Sequence, residues 1–200
     1  MHRSTPSAPL ARRALPRALA GLFSALAASL WLTGCASPPI NRDASVPLTT
    51  TASVDLDRYL GRWYEIARFP NRFEDGCVDV TATYSREKSG DIKVLNACVK
   101  PDGRDVAEGR AKVVDPETNA RLKVSFFGPF YAPYWVLHVA PDYSLALVGE
   151  PEGRYLWILA REPAIPEDVK EDALARLAAL GYRTEALYWT PQSAATDEES

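Results

Sequence analysis

The sequence predicts an all-β domain of eight antiparallel strands, either an up-and-down barrel or a sandwich, with one α-helix near the C-terminal end. Strand-like runs recur at near-regular spacing between residues 62 and 161. Turn chemistry separates them, as at Ser89-Gly90, Pro101-Asp102-Gly103, Asp115-Pro116 and Glu152-Gly153. The connections are too short for the crossover helices of βαβ units. With 46% apolar and 24% charged residues, the 200-residue chain carries enough material for one core of ordinary size plus extensions.

The first run, 62–69, lies in GRWYEIARFPNRFE (61–74). Side chains alternate along a strand, so Trp63, Glu65, Ala67 and Phe69 share one face and Tyr64, Ile66 and Arg68 the other. Large aromatics stand on both faces, which implies cover on both. Further runs follow at 78–86, 91–99, 105–113, 120–127, 134–140, 144–149 and 154–161. Three of them present a period-2 apolar face: Leu122, Val124 and Phe126; Leu145, Leu147 and Gly149; Tyr155, Trp157, Leu159 and Arg161. Pro166-Glu167-Asp168 then opens a helix, Val169, Leu174, Leu177 and Leu180 recur at helical spacing, and Gly181 ends it. Residues 186–189 read as a short edge strand, and 191–200 as a disordered acidic tail.

The N-terminal 34 residues read as a targeting segment. Arg3, Arg12, Arg13 and Arg17 precede the apolar run from Ala18 to Leu32, which has the length of a signal-peptide h-region and is short for a membrane span. Leu32-Thr33-Gly34-Cys35 closes it and resembles the lipobox of bacterial lipoproteins, where the cysteine is lipidated and the signal is cut before it. In such proteins an aspartate after the cysteine favours the inner membrane; Ala36 stands here, which implies the outer membrane. Residues 35–54, rich in Pro, Ser and Thr, read as a flexible tether to a domain spanning 55–190. The chain after residue 35 holds 19 basic and 26 acidic side chains, a balance that argues against nucleic acid.

Export places Cys77 and Cys98 in an oxidising compartment, where they flank the turn at Glu87-Lys88-Ser89-Gly90. A hairpin there brings them nearly opposite one another. A bridge would close a loop of about 22 residues, worth about 3 kcal/mol; two buried free thiols are the alternative. The mature chain has a single histidine, His138, and lacks a nucleophile elbow, a CxxC and a Gly-rich phosphate loop, so hydrolase and metalloenzyme readings have little support. No catalytic residue, metal or cofactor is expected. An eight-stranded barrel is either just filled by side chains or holds one small ligand.

Gly61-Arg62-Trp63, Pro141-Asp142-Tyr143 and Arg161 match in order and spacing the three conserved regions of the lipocalins. The chain resembles above all the bacterial outer-membrane lipoprotein lipocalins and their apolipoprotein D-like relatives, through GRWYEIARFPNRFE, VTATYS, LKVSFFGPFYAPYWVL, LALVGEP and YLWILAREP, over about residues 54–190. The resemblance implies an eight-stranded barrel with its helix packed outside. Trp63, behind Gly61, would plug the base with Arg161 across its ring. Pro141 replaces the threonine that often begins the second region. The cup would take the acyl chain of a fatty acid or lysophospholipid, lined by Phe69, Phe126, Tyr134, Val136, His138, Leu147, Tyr155 and Trp157. The partners implied are lipid and, through lipidated Cys35, the membrane, in lipid storage or transport for membrane maintenance. Two alternatives are an enzyme on a hydrophobic substrate and an envelope interaction module with a filled barrel.

Overall fold

The structure is a computed structural model that describes residues 38–193 together with His2; the expected signal peptide and Cys35 otherwise lie outside the described residues. In chain order the elements are α1 (Leu56–Tyr59), β1 (Gly61–Arg68), β2 (Val78–Arg86), β3 (Ile92–Lys100), β4 (Gly103–Val113), β5 (Arg121–Phe127), β6 (Phe130–Val139), β7 (Leu145–Gly149), β8 (Leu156–Ala160), α2 (Glu167–Ala179) and β9 (Tyr188–Trp189). Strands β2 to β8 pair with their sequence neighbours, β8 pairs with β1, and β1 returns to β2. The sheet thus closes into an eight-stranded antiparallel up-and-down barrel. The eight expected strands and the helix are all present; β6 begins four residues before its expected start.

The base is built around α1. Asp55 caps it by accepting from the backbone N–H groups of Asp57 and Arg58. The Asp55 N–H in turn donates to the Tyr143 hydroxyl at 2.7 Å, and the Arg58 guanidinium lies 4.1 Å from the Tyr143 ring. The Pro141-Asp142-Tyr143 turn therefore holds the base together despite the proline.

Two cores share the barrel wall. Inside lie Trp63, Ala82, Tyr84, Val94, Leu122, Tyr134, Val136, Ala146, Val148 and Leu159. Outside, under α2, lie Ile66, Ala67, Phe69, Leu137, Leu145, Leu147, Ile158, Ala173, Leu177 and Tyr182. This second core is the cover that the two aromatic faces of β1 required. It also overturns part of the expected lining. The pairing of β1 with β8 shifts register between Glu65 and Ala67, so Ala67 stands opposite outward-facing Ile158 and Phe69 follows it outward. In β6 the register shifts between Val136 and His138, which turns His138 outward opposite Leu147. A bulge inserts one residue and inverts every later side chain.

The expected tether also differs. From Asn41 the chain is strapped to the barrel: the Asn41 N–H donates to the Gly153 carbonyl, Asp43 to Gly181, Thr51 to Val136 and Val54 to Thr118. Arg42 is buried, donates from Nε to the Leu180 carbonyl at the C-terminal end of α2 and from Nη1 to the Pro151 carbonyl. A cation there satisfies carbonyls that the helix leaves unpaired. Gly153 packs directly on Arg42 with φ +73°, so a side chain there would meet the strap.

The C-terminal end is likewise docked as far as it is described. Strand β9 pairs with β1 at Ala67 and Arg68, above the stretch where β1 meets β2. Gln192 donates from its amide to the carbonyls of both Glu65 and Val80, bridging the seam between β1 and β2. Residues 191–193, expected within the disordered tail, thus complete the wall; the remaining tail lies outside the described residues.

Candidate functional site

The barrel floor is aromatic. Trp63 is fully buried, and the Arg161 guanidinium carbon lies 3.8 Å from the centre of its ring. Arg161 also donates to the carbonyls of Arg62, Arg58 and Leu60 at 2.6, 2.7 and 2.9 Å, so it ties α1 and the start of β1 to the end of β8. Gly61, at φ +94°, brings the backbone against this guanidinium with no side chain in the way. Above Trp63, the hydroxyl of Tyr134 lies 2.9 Å from those of both Tyr59 and Tyr84. Burial raises the pKa of all three, that of Tyr84 to about 12, so the cluster is neutral.

Above the tyrosines, a void of about 50 Å³ lies between Leu159, Val94, Phe126 and Trp157. A larger cavity of about 400 Å³ extends from there to the end opposite the Trp63 floor. That volume falls in the ordinary range of small-molecule sites, about 300 to 1,000 Å³. Its walls are Val80, Ala97, Ala107, Val124, Phe126, Tyr155 and Trp157, with Phe73, Phe127, Phe130 and Tyr131 towards the mouth. Tyr155 and Trp157 stack, with ring centres 5.9 Å apart and planes within 7°. Gly109 gives the Phe126 ring its place, since a Cβ there would sit 2.7 Å from it. A filled barrel would have no such space.

A polar patch interrupts the apolar wall. Arg68, buried, places Nε 3.2 Å from Glu65 and 3.4 Å from Glu74. Its Nη2 donates to the Glu74 carbonyl at 2.6 Å, and Thr190 donates to Glu65. The Glu74 carboxylate also accepts from Asn71 and, at 3.4 Å, from Trp157 Nε1. Two carboxylates share one guanidinium. Burial first, then the Glu74 charge, pushes the Glu65 pKa well above the usual carboxylate range. Two buried polar atoms on the lining, Asn96 Oδ1 and Ser125 Oγ, have no hydrogen-bond partner among the described residues.

Of the eight expected lining residues, Phe126, Tyr155 and Trp157 border the main cavity and Tyr134 the void below it. Val136 points inward but is packed into the base. Phe69 and Leu147 belong to the outer core. His138 stands outside as well, where burial first, and then Arg176 of α2, lower its pKa. Cys77 and Cys98 form a disulfide bordering the cavity between β2 and β3. The tyrosine floor and the Glu65–Arg68–Glu74 patch were not anticipated. Period-2 alternation places Tyr84 on the inward face with Ala82, but nothing marks Tyr59, which enters from α1. Among the described residues, no group of three or more His, Cys, Asp or Glu side chains is placed to hold a metal ion.

The comparisons agree with this geometry. The family model described as a lipocalin-like domain matches residues 54–192. The outer membrane lipoprotein Blc of Escherichia coli strain K12 is 42% identical over 173 residues, covering 86% of this chain and 96% of that protein. Apolipoprotein D of Rattus norvegicus is 40% identical over 162 residues, covering 75% and 78%. Among solved structures, insecticyanin of the tobacco hornworm Manduca sexta superposes with a TM-score of 0.60 at 21% identity, covering 77% of this chain and 89% of that one, a likeness of fold. With a closed eight-stranded barrel, its tryptophan–arginine base and a family match across the whole barrel, the chain belongs to the lipocalin family.

Proposed function

We propose that this lipocalin carries single-chain lipids, a fatty acid or a lysophospholipid, with the acyl chain in the cavity between Phe126 and Trp157. The observation that supports this most is the cavity of about 400 Å³ with nearly continuous aromatic and aliphatic walls above a sealed floor. An acyl chain of about 14 buried methylenes gains about 11 kcal/mol gross at about 0.8 per CH₂, against about 4 to 15 kcal/mol for lost freedom. At the low end of that cost the net is about 7 kcal/mol, a dissociation constant of about 10 μM, which permits capture and release. Asn96 and Ser125 offer hydrogen bonds to an ester, hydroxyl or carboxyl group part-way down the wall. A carrier role, as opposed to catalysis, is favoured because the two cysteines beside the cavity are tied to each other and His138 lies outside it.

The lipobox-like Leu32-Thr33-Gly34-Cys35 supports a lipid anchor at Cys35, and the residue after it, Ala36, supports the outer membrane, in keeping with the name of the Escherichia coli relative; the periplasmic face is part of the same proposal. Cys35→Ser is expected to release the protein from membranes, since acyl chains supply the hold. For the ligand, native mass spectrometry of the protein purified from its own envelope is expected to show an adduct with the mass of a single-chain lipid. Ala107→Trp, which fills the cavity, is expected to lose the adduct while remaining folded. Protein that carries no lipid in either form would contradict the reading.

A further inference from the structure

We infer that the open end of the barrel rests on the membrane, with Phe73, Phe127 and Phe130 entering the lipid layer that holds the anchor. This rests on the reading of Cys35 as the lipidated residue.

The path of the strap carries the inference. Strand β1 runs upward from the Trp63 base, so the turn between β7 and β8, residues 150–155, lies at the open end. The N-terminal chain is fastened there: the Asn41 N–H donates to the Gly153 carbonyl, and Arg154 donates to the Pro38 carbonyl at 2.7 Å. From this point the strap descends to Val54 at the base. Cys35 is only three residues before Pro38, a reach of about 10 Å when fully extended. The base lies farther off: the eight residues of β1, tilted as barrel strands are, rise about 20 Å. The anchor therefore tethers the mouth end, and the membrane contact becomes intramolecular, with a high effective concentration.

The mouth carries the surface that such a contact needs. Phe127 and Phe130, paired at the tip of the β5–β6 hairpin, are 80% and 78% exposed, and Phe73 is 55% exposed. Aromatic side chains held out in water at the entrance of an apolar cavity mark a contact surface. Charges at this end are paired or mixed in sign, with Lys100 on Asp105 at 2.7 Å and Arg154 on Glu152 at 2.8 Å. The fitting partner is thus the apolar part of a bilayer, without a demand for anionic lipid. An acyl chain then passes between bilayer and cavity without crossing water.

The test uses the mature acylated protein in dioleoylphosphatidylcholine vesicles. An environment-sensitive fluorophore is attached at Gly128→Cys, where an added Cβ meets open space, or at Glu117→Cys in the exposed β4–β5 turn at the base. The Gly128 label is expected to shift to the blue and to be quenched by shallow doxyl-labelled lipid, and the Glu117 label to do neither. Phe127→Ser with Phe130→Ser is expected to abolish the shift while the protein stays vesicle-bound. Two labels equally exposed to water on acylated, vesicle-bound protein overturn the orientation and leave the anchor standing. A Gly128 label that shifts without vesicles, in step with protein concentration, assigns the rim to a second copy and overturns it too. A mature protein lacking acyl chains by mass overturns the anchor and the orientation together.

Discussion

Glu65 and Arg68 share the interior side of β1, one on each side of its bulge, and alternation alone assigns them to opposite faces. The bulge brings their charges together, and Glu74 arrives from the following loop to complete the patch. Because burial and the neighbouring Glu74 charge raise the pKa of Glu65, the folded protein holds a proton there at pH values above the one near 4.5 at which the unfolded chain loses it. The folded state is then the better proton binder, so stability from this group is full below the unfolded pKa and falls as pH rises, by at most about 1.4 kcal/mol per pH unit. Urea unfolding across pH 4 to 9 is expected to show Glu65→Gln with a flatter decline than the parent; equal slopes would mean that Glu65 is ionised in the fold. The two interior tryptophans divide the work of closure and binding. Trp63→Ala removes the floor and the partner of Arg161 and is expected to cost about 3 to 5 kcal/mol in thermal or urea melts. Trp157→Leu, half-buried on the cavity wall, is expected to cost less stability and to weaken fatty-acid binding about tenfold, or about 1.4 kcal/mol. Trp63 and Arg161 were legible in the sequence through the family motifs. Tyr59 and the charged patch were not, because their meeting depends on α1 and on a bulge.

Turn residues and period-2 runs located every strand, and proline, acids and glycine located α2, since these signals are local. The facing of β1 and β6 was not legible beyond their bulges. Both faces of these strands are apolar, one towards the interior and one towards α2, so hydrophobicity gives no cue to the inserted residue. The consequence is testable. Leu147→Ala deletes a fully buried side chain of the outer core and is expected to cost about 2 to 5 kcal/mol while leaving lipid affinity unchanged. His138→Ala is expected to leave affinity unchanged as well; a tenfold loss from either, measured by titration calorimetry, would return those residues to the lining. The Cys77–Cys98 bridge joins the upper ends of β2 and β3 beside the cavity. Replacing both with alanine is expected to lower the free energy of unfolding by about 3 kcal/mol.

At the scale of the molecule, composition read residues 35–54 as a tether because it lacks periodic apolar residues. The strap is held instead by backbone hydrogen bonds and by arginines, Arg42 within it and Arg154 and Arg183 donating to it, none of which leaves a hydropathy pattern. Strap, α2 and β9 together cover the outside of β1, β6, β7 and β8 and seal the seam of the barrel, so its unfilled volume is confined to the mouth side of the tyrosine floor. A lipid carrier follows from that arrangement only if an acyl chain enters the cavity. Of the tryptophans in the described residues, Trp157 alone borders it: Trp63 lies under the floor, while Trp135 and Trp189 engage Arg121 and Lys170 at 4.5 and 4.7 Å. The most direct measurement is therefore a titration of intrinsic fluorescence with a fatty acid carrying a doxyl quencher on its chain, in the protein and in Trp157→Leu. Saturable quenching at one equivalent in the parent, with the quenched component missing from the variant, is the predicted result; no saturable quenching, or the same quenching in both proteins, would contradict it.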